Sequence, residues 1–208
     1  MSVVTFAYKS IRKLWLILLY HPYCKVITMV MMLGNGVNFK HFKTRGIPII
    51  KIDRKGSCII LDDNLVLNNK NSGNTIGYAS RCTLVASDGA HLHIYENVGM
   101  SQTAICAMGA DISIGSNTIL GGGVKIYSSD FHSLFYLDRR EQSGFDKKHT
   151  CSASISIGKD CFIGAGSTIL KGVTIGDRTI IGAGSVVTRS IPSDCIAAGN
   201  PCKIIRNL

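Results

Sequence analysis

The stretch IGKDCFIGAGSTILKGVTIGDRTIIGAGSVVTRSIP, residues 157–192, repeats with a period of six residues. Gly usually follows an aliphatic first position, which recurs at Ile157, Ile163, Ile169, Ile175, Ile181 and Val187. Neither the 3.6-residue period of a helix nor the two-residue period of a plain strand explains this spacing. A short strand and a tight turn in every unit do explain it. The repeat therefore predicts a parallel β-helix, in which three units make one triangular coil that must stack on its neighbours.

Upstream, the same period is present but looser. One set of aliphatic positions is Ile114, Leu120 and Ile126, and another, offset by two, is Ile94, Met100, Cys106 and Ile112. We expect both sets to point into the core of a prism that runs from about residue 45 to about residue 195. The predicted organisation is a helical segment over 1–40, an all-β domain over 41–195 and a closing segment over 196–208.

The repeat stops between Ile126 and Ile157, which are 31 positions apart, and 31 is not a multiple of six. Continuing the upstream period places His132 in the next inward slot. A loop over about 132–154 is therefore predicted to leave one corner of the prism. A long loop on a rigid solenoid is typical of a binding site.

Composition narrows the classes of partner. The 208 residues carry a net charge of +10, which favours anionic partners. The sequence contains no nucleic-acid-binding motif, so we do not expect nucleic acid to be a partner. The eight Cys residues form no CxxC pair and match no zinc-finger spacing. We expect buried free thiols in a reducing cytoplasm, and no metal site.

The N-terminal segment is basic and then apolar. His21, Pro22 and Lys25 interrupt the apolar run, so two short helices flanking Pro22 are predicted. These helices either pack on the main domain or on a neighbouring subunit, or residues 1–33 lie on the inner face of a membrane, with Arg12, Lys13 and Lys25 on lipid phosphates.

Three motifs together resemble the left-handed β-helix, hexapeptide-repeat acyltransferases. They are SSDFHS (128–133), the repeats of 157–187 and the ending VVTRSIPSDCIAAGNPCKIIRNL (186–208). Within that family, the sequence is most similar to the maltose/galactoside O-acetyltransferase-like branch and to capsular and O-antigen polysaccharide O-acetyltransferases. The resemblance covers about 75–208. It implies a left-handed prism, a homotrimer with active sites between prisms, acetyl-CoA as donor and a histidine base.

His132 is the predicted base, because a neutral imidazole can take the proton of an attacking sugar hydroxyl. Asp130, two residues earlier, is expected to fix its tautomer, with a turn-capping role as the alternative. His149, at the far end of the loop, is a candidate for contact with the acceptor from the neighbouring subunit.

The resemblance also places the donor. Ala165, Ala183 and Thr188 fall at family contact positions, and Arg189, Lys203 and Arg206 fall where cations meet the nucleotide phosphates. Lys203 and Arg206 would share a face if the C-terminal tail were a short helix.

Two positions depart from the family pattern. Phe162 stands where polysaccharide O-acetyltransferases often carry Trp, which keeps an aromatic wall but removes the indole donor. Ser101 or Gln102 replaces an acceptor-binding Asn of the galactoside branch. Arg139 in the loop is a further candidate for binding the acceptor. We expect that acceptor to be a charged glycan, a sugar nucleotide or a lipid-linked precursor.

The predicted function is transfer of acetyl to a sugar hydroxyl of a surface polysaccharide. Three alternatives stay open at this point. The acceptor could be the amine of an amino sugar, the prism could be a scaffold without activity, or it could be a carbonic-anhydrase-like zinc enzyme. The last requires three histidines, typically with an HxxxxH pair that this sequence lacks.

Overall fold

Three parallel sheets wind around one core, and the chain visits sheets A, B and C in turn. The computed structural model describes residues 3–53, 55–69, 80–140 and 145–208. Sheet A contains β1 (Asn38–Phe39), β4 (Cys58–Leu61), β7 (His91–Ile94), β10 (Ile112–Ile114), β13 (Ile155–Ile157) and β16 (Thr174–Ile175). Sheet C contains β3 (Ile49–Ile52), β6 (Thr83–Ser87), β9 (Ala104–Met108), β12 (Lys125–Tyr127), β15 (Thr168–Ile169) and β18 (Val186–Val187).

Sheet B has eight strands and closes the C-terminal end of the prism. It contains β2 (Phe42–Arg45), β5 (Leu65–Asn68), β8 (Gly99–Ser101), β11 (Ile119–Leu120), β14 (Phe162–Ile163), β17 (Ile180–Ile181), β19 (Cys195–Gly199) and β20 (Cys202–Asn207). We refer to the turn from sheet B to sheet C as the B–C edge and to the turn from sheet C to sheet A as the C–A edge. The C–A edge lies opposite the face of sheet B.

The register explains why the sequence period is strict only near the C-terminus. Ser156 pairs with Thr174, eighteen positions further on, which is three units of six. In the preceding coils, His93 pairs with Ser113 and Ala104 with Lys125, at separations of twenty and twenty-one. These longer coils shift the inward positions. The prediction that Cys106 points inward is wrong, because Ile105 and Ala107 are the buried residues of β9.

The core is a stack of aliphatic side chains. All six first-position residues of 157–192 are at most 2% exposed, including Ile163 and Ile169 at 0%. Burying one such side chain contributes about 1.5–3 kcal/mol. The second-position glycines are required by the stacking itself. A Cβ at Gly164 would lie 2.5 Å from the amide nitrogen of Ala183 in the next coil, although the φ of Gly164 is not positive.

The N-terminal segment is one continuous helix, so the prediction of two short helices is wrong. α1 (Val3–Trp15) continues through a π-helical turn (Leu16–Tyr20) into α2 (His21–Gly34). Pro22 falls in the first turn of α2, just after the π-helical turn, where a residue without a backbone N–H group is tolerated. α2 packs on the first coil through Cys24, Thr28 and Met32.

The loop and the C-terminus complete the chain. The loop carries two short helices, α3 (Tyr136–Arg140) and α4 (Phe145–Lys148), and an antiparallel bridge between Ser129 and Ser152 joins its two stems. The prediction of a short helix or tail at the C-terminus is wrong, because this segment forms strand β20, antiparallel to β19. A register shift in this pair leaves Lys203 opposite Ala198 and Arg206 opposite Ile196, so that both cations lie on the outer face.

Candidate active site

His132 lies at the C–A edge, where the chain leaves β12 for the loop. The residue before it, Phe131, has a φ of +66°, a conformation that is strained for a bulky side chain. The Phe131 ring packs edge-on against Tyr127, with centroids 5.3 Å apart. Strain of this kind persists only where the surroundings hold it, and it is concentrated at functional sites.

The partner of His132 is Asp146. His132 Nδ1 lies 2.6 Å from Asp146 Oδ2, and the other carboxylate oxygen accepts the Ser133 amide N–H at 2.6 Å. Two hydrogen bonds lower the pKa of Asp146 below the usual range. The bond from His132 has the larger effect, and the bond from the Ser133 backbone has the next largest. An ionised Asp146 therefore accepts a hydrogen bond from the Nδ1–H group of His132, and in this tautomer the lone pair is on Nε2.

A second His–Asp pair lies beside the first and is joined to it through Ser133. His149 Nδ1 is 2.9 Å from Asp138 Oδ2, and the Ser133 hydroxyl donates to the same oxygen at 2.6 Å. The Ser133 hydroxyl bond, and then the His149 bond, lower the pKa of Asp138. Because Ser133 is only 1% exposed, it fixes both pairs relative to the prism.

The prediction that Asp130 orients His132 is corrected by the geometry. Asp130 Oδ1 accepts a hydrogen bond from Lys171 Nζ at 2.7 Å, and Lys171 belongs to the next coil of the C–A edge. The Asp130 backbone N–H donates to the carbonyl of Cys151 in the second stem of the loop. Asp130 therefore ties the base of the loop to the prism and does not touch the imidazole.

Arg139, a predicted acceptor contact, is tied to the same network. Its Nη1 donates to the carbonyl oxygen of Ser133 at 2.5 Å. Its positive charge also contributes to the lowered pKa of Asp146. The guanidinium therefore stabilises the loop conformation next to His132.

An open groove of about 440 Å³ lies at the foot of the loop, on the same edge. Phe131 and Lys147 line one side of it, and Asp88 and Met108 line the other. The groove thus combines an aromatic surface with both signs of charge. Such a lining can stack on a sugar ring and pair with polar substituents.

The predicted donor contacts fall into two groups. Ala165 and Ala183 stack at the B–C edge, where the Gly184 amide donates to the Ala165 carbonyl at 2.8 Å. Lys203 lies next to this edge, because it faces Ala198, which packs against Gly182. Thr188 and Arg189 lie instead at the C–A edge, directly after β18, and both are exposed.

The remaining predicted residues lie on the sheet B side. Phe162 is 46% exposed on the outer face of sheet B, where Ile119 and Ile180 pair with it from the neighbouring strands. Ser101 ends β8 at the B–C edge and interacts with Asn68. Gln102 is only 2% exposed, so its side chain belongs to the interior of the corner rather than to an open surface.

Within one chain, the structure does not bring all the predicted residues together. His132, Asp130, Arg139 and His149 lie at the C–A edge, whereas Phe162 lies on the opposite face. Sequence reasoning missed Asp146 and Asp138, because nothing in their spacing from the histidines indicates a contact across two short helices. In the described ranges, with their gaps at 54, 70–79 and 141–144, no group of three or more His, Cys, Asp or Glu side chains could hold a metal ion.

The fold and site define the class: a parallel β-helix of six-residue units with a histidine at a loop-bearing edge. Residues 154–189 match the family described as the hexapeptide repeat of succinyl-transferase. An inferred acetyltransferase of Dictyostelium discoideum is 42% identical over 126 residues, 61% of this chain and 63% of the relative. The galactoside O-acetyltransferase of Escherichia coli K12 is 34% identical over 122 residues, 59% of this chain and 57% of the relative.

A third relative is named for its polysaccharide substrate, polysialic acid. The polysialic acid O-acetyltransferase of Escherichia coli O1:K1 is 31% identical over 137 residues, 56% of this chain and 43% of the relative. The chain thus spans between two fifths and two thirds of the length of these three proteins.

Solved structures agree on the fold. A hexapeptide-repeat acetyltransferase of Vibrio cholerae, complexed with acetyl coenzyme A, has a TM-score of 0.50 and 25% identity, covering 88% of this chain and 78% of that one. The N-acyltransferase AntD of Bacillus cereus has a TM-score of 0.61 at 18% identity, covering 86% and 87%. The chain is thus similar in sequence and fold to hexapeptide-repeat acetyltransferases, and these neighbours imply the left-handed β-helix.

Proposed function

We propose that the protein is an acetyl-CoA-dependent O-acetyltransferase that acts on a sugar hydroxyl of a surface polysaccharide or of its precursor. One observation carries this proposal: the 2.6 Å contact of His132 with Asp146 orients an exposed imidazole at the edge of the prism so that Nε2 can accept a proton. The eight free cysteines agree with a reducing compartment, so we place the protein in the cytoplasm.

The donor site on this chain is the smooth B–C edge and the basic strand β20. Ala165 and Ala183 present no large side chain there, so an extended pantetheine arm can approach the backbone. Lys203 and Arg206 share one outer face and supply charge-assisted hydrogen bonds for phosphates. These residues fit acetyl-CoA, which supplies an activated thioester carbonyl when bound.

His132 acts as a general base. Its Nε2 accepts the hydroxyl proton of the sugar as that oxygen bonds to the acetyl carbonyl carbon. Asp146 stabilises the resulting imidazolium through Nδ1. As the carbon–sulfur bond breaks, His132 returns the proton to the departing thiolate, so the enzyme ends in its starting state. No covalent intermediate on the protein is needed.

The complete site is formed by two chains. Phe162 and the B–C edge lie on the side of the prism away from His132, so a neighbouring copy must supply them. Ile119 and Phe162, 55% and 46% exposed, form an apolar strip along sheet B that favours such packing. A homotrimer with one site in each groove between prisms satisfies this requirement.

The acceptor binds in the groove at the foot of the loop. Phe131 offers an aromatic face and Lys147 a positive charge, which together suit an acidic sugar residue. The name of the polysialic acid relative agrees with an acidic glycan of this kind.

The test begins with the donor, because it requires no knowledge of the acceptor. Calorimetry should detect acetyl-CoA binding to wild type and to His132→Ala, and weaker binding to Lys203→Ala/Arg206→Ala. Transfer is then measured on a panel of neutral, acidic and amino-sugar oligosaccharides. Release of coenzyme A is followed by chromatography, because Cys151 is an exposed thiol that would react with thiol reagents.

The products separate the competing functions. An alkali-labile ester on an oligosaccharide, formed by wild type and lost in His132→Ala, supports O-acetylation. An alkali-stable amide on an amino sugar would replace it with N-acetylation. Absence of acetyl-CoA binding at millimolar concentration would remove acetyl transfer and leave the scaffold role.

A further inference from the structure

The N-terminal helix exposes an apolar surface that the proposed chemistry does not use. In the described ranges, the helical segment Thr5–Gly34 is long and apolar enough to cross a membrane by length and composition, and only 17% of its most apolar window is buried. Ile11, Leu18 and Leu33 are each more than 60% exposed. The fully buried residues of α2 are the short row Cys24, Thr28 and Met32.

The charge of the chain is concentrated at the same end. Eight of the 23 Lys and Arg residues precede Asp53, whereas all 13 Asp and Glu residues lie from Asp53 onward. The first quarter of the sequence therefore carries most of the net charge of +10. An acid-free, cationic and apolar segment is complementary to an anionic lipid surface.

The helix separates its two kinds of side chain. In α1, Lys9, Arg12 and Lys13 are spaced i, i+3 and i+4, which places them on one face. Ile11 and Leu14 belong to the opposite, apolar side. The helix is therefore amphipathic over this stretch, with a basic side that suits phosphates and an apolar side that suits acyl chains.

The π-helical turn brings the two halves of the helix into register. It adds one residue to the α-helical pattern, which rotates α2 by about 100° relative to α1. Arg12 precedes Cys24 by twelve residues. Without the one residue that the π-helical turn adds, the separation is eleven residues, which is about three full turns of an α-helix and puts the two side chains on one side. The cationic face of α1 therefore lies on the same side as the prism, and the apolar face of α1 continues into Val26 and Leu33.

A basic groove lies between the helix and β2. It measures about 480 Å³ and is lined by apolar Ile17 and Phe42 and by three cations, Lys25, Lys43 and Arg45. Among the residues that the structure describes, none of the three cations forms an ion pair. The groove can thus hold a lipid phosphate next to the helix.

From these observations we propose that the helix Val3–Gly34 lies in the plane of an anionic lipid bilayer, with its apolar side in the acyl region. The basic groove and the cations of α1 lie at the level of the headgroups, and the prism stands on the aqueous side. This docking is independent of the proposed acetyl transfer, although it would bring the site close to acceptors that are attached to lipid.

The experiment is flotation of the full chain with vesicles. Vesicles of phosphatidylcholine with phosphatidylglycerol are compared with phosphatidylcholine alone, at low and high salt. We expect at least tenfold stronger binding to the anionic vesicles at low salt, weakened by salt. Ile11→Glu/Leu14→Glu and Arg12→Glu/Lys13→Glu should each reduce it at least tenfold.

The control matched to Arg12→Glu/Lys13→Glu is Lys125→Glu/Lys159→Glu, which makes the same change in net charge on exposed prism residues and should bind like wild type. Equal binding to both kinds of vesicle, or none, would overturn the proposal. Extraction-resistant insertion at alkaline pH would indicate a spanning helix instead. Lipid-free self-association that Ile11→Glu/Leu14→Glu abolishes would indicate a second copy as the occupant. Acetyl transfer to soluble oligosaccharides should be unchanged in these variants, so the two proposals fail separately.

Discussion

The C–A and B–C edges belong to the same prism but are built differently. At the B–C edge the repeat is unbroken, and small residues such as Ala165 and Ala183 stack in line. At the C–A edge the repeat is interrupted by a loop, whose charged side chains hold His132. In the proposed function the two edges have different roles: the regular edge is smooth enough for an extended donor, and the interrupted edge supplies the reactive groups. Under this proposal neither edge is a complete site by itself.

The largest expected effect is at the interrupted edge. His132→Ala should lower kcat about 10²–10⁴-fold, because it removes the general base. The affinity for acetyl-CoA should be nearly unchanged, because the proposed donor site is the B–C edge with Lys203 and Arg206. Steady-state kinetics and calorimetry measure the two quantities. His149→Ala is the control within the same loop, and an equal loss of kcat in that variant would contradict the assignment of the base.

The two aspartates near His132 provide the next comparison. Asp146→Asn should lower kcat by roughly 10–10³-fold with little change in KM, because an amide cannot hold the Nδ1 proton or stabilise the imidazolium. Asp130→Asn should mainly lower the melting temperature, because it leaves Lys171 without its carboxylate partner. If Asp130→Asn lost more kcat than Asp146→Asn, the hydrogen bond at 2.6 Å would not be the functional one.

At the regular edge, the expected effect is on binding. Lys203→Ala/Arg206→Ala should raise the Kd for acetyl-CoA about 10–100-fold, since each charge-assisted hydrogen bond contributes roughly 1.5–3 kcal/mol before losses to solvent screening. The effect should shrink at high salt. Isothermal titration calorimetry at two salt concentrations measures it, with Lys125→Ala/Lys159→Ala as a control that should leave the Kd unchanged.

The smallest effect concerns the stacking that keeps the regular edge smooth. Gly164→Ala should destabilise the fold by about 1–3 kcal/mol, because its Cβ would meet the backbone of Ala183 at 2.5 Å. Gly99→Ala, whose Cβ would meet nothing within 4 Å, is the matched control. Thermal denaturation compares the two variants. An equal melting temperature would mean that the coils relax around the added methyl group.

Periodicity predicted the prism, because stacked coils require the same residue type at the same position of every unit. It failed at Cys106, where coils of twenty and twenty-one residues shift the inward slots. The prediction of a helix break at Pro22 rested on local propensity, which does not reveal that a π-helical turn accommodates the proline. At the C-terminus, no six-residue signal marks β20, which is held by its antiparallel partner β19.

The candidate site was only partly predictable, because some of its contacts leave no pattern in the sequence. His132 was found through a motif and a break in the period, both of which are visible in the sequence. Asp146 was not, because the contact depends on how α3 and α4 fold the loop back onto Ser133. A carboxylate fourteen positions away has no characteristic spacing that would have indicated this contact.

The central claim, that each site combines two edges from different chains, is tested most directly by mixing two inactive variants. His132→Ala removes the C–A edge function, and Ala183→Trp blocks the donor at the B–C edge. Co-expressed with different tags and purified as mixed trimers, the pair should recover about a third of wild-type activity per site, because every mixed trimer has one groove in three that combines two intact edges. Mixed assemblies as inactive as either variant alone would contradict a site shared between chains.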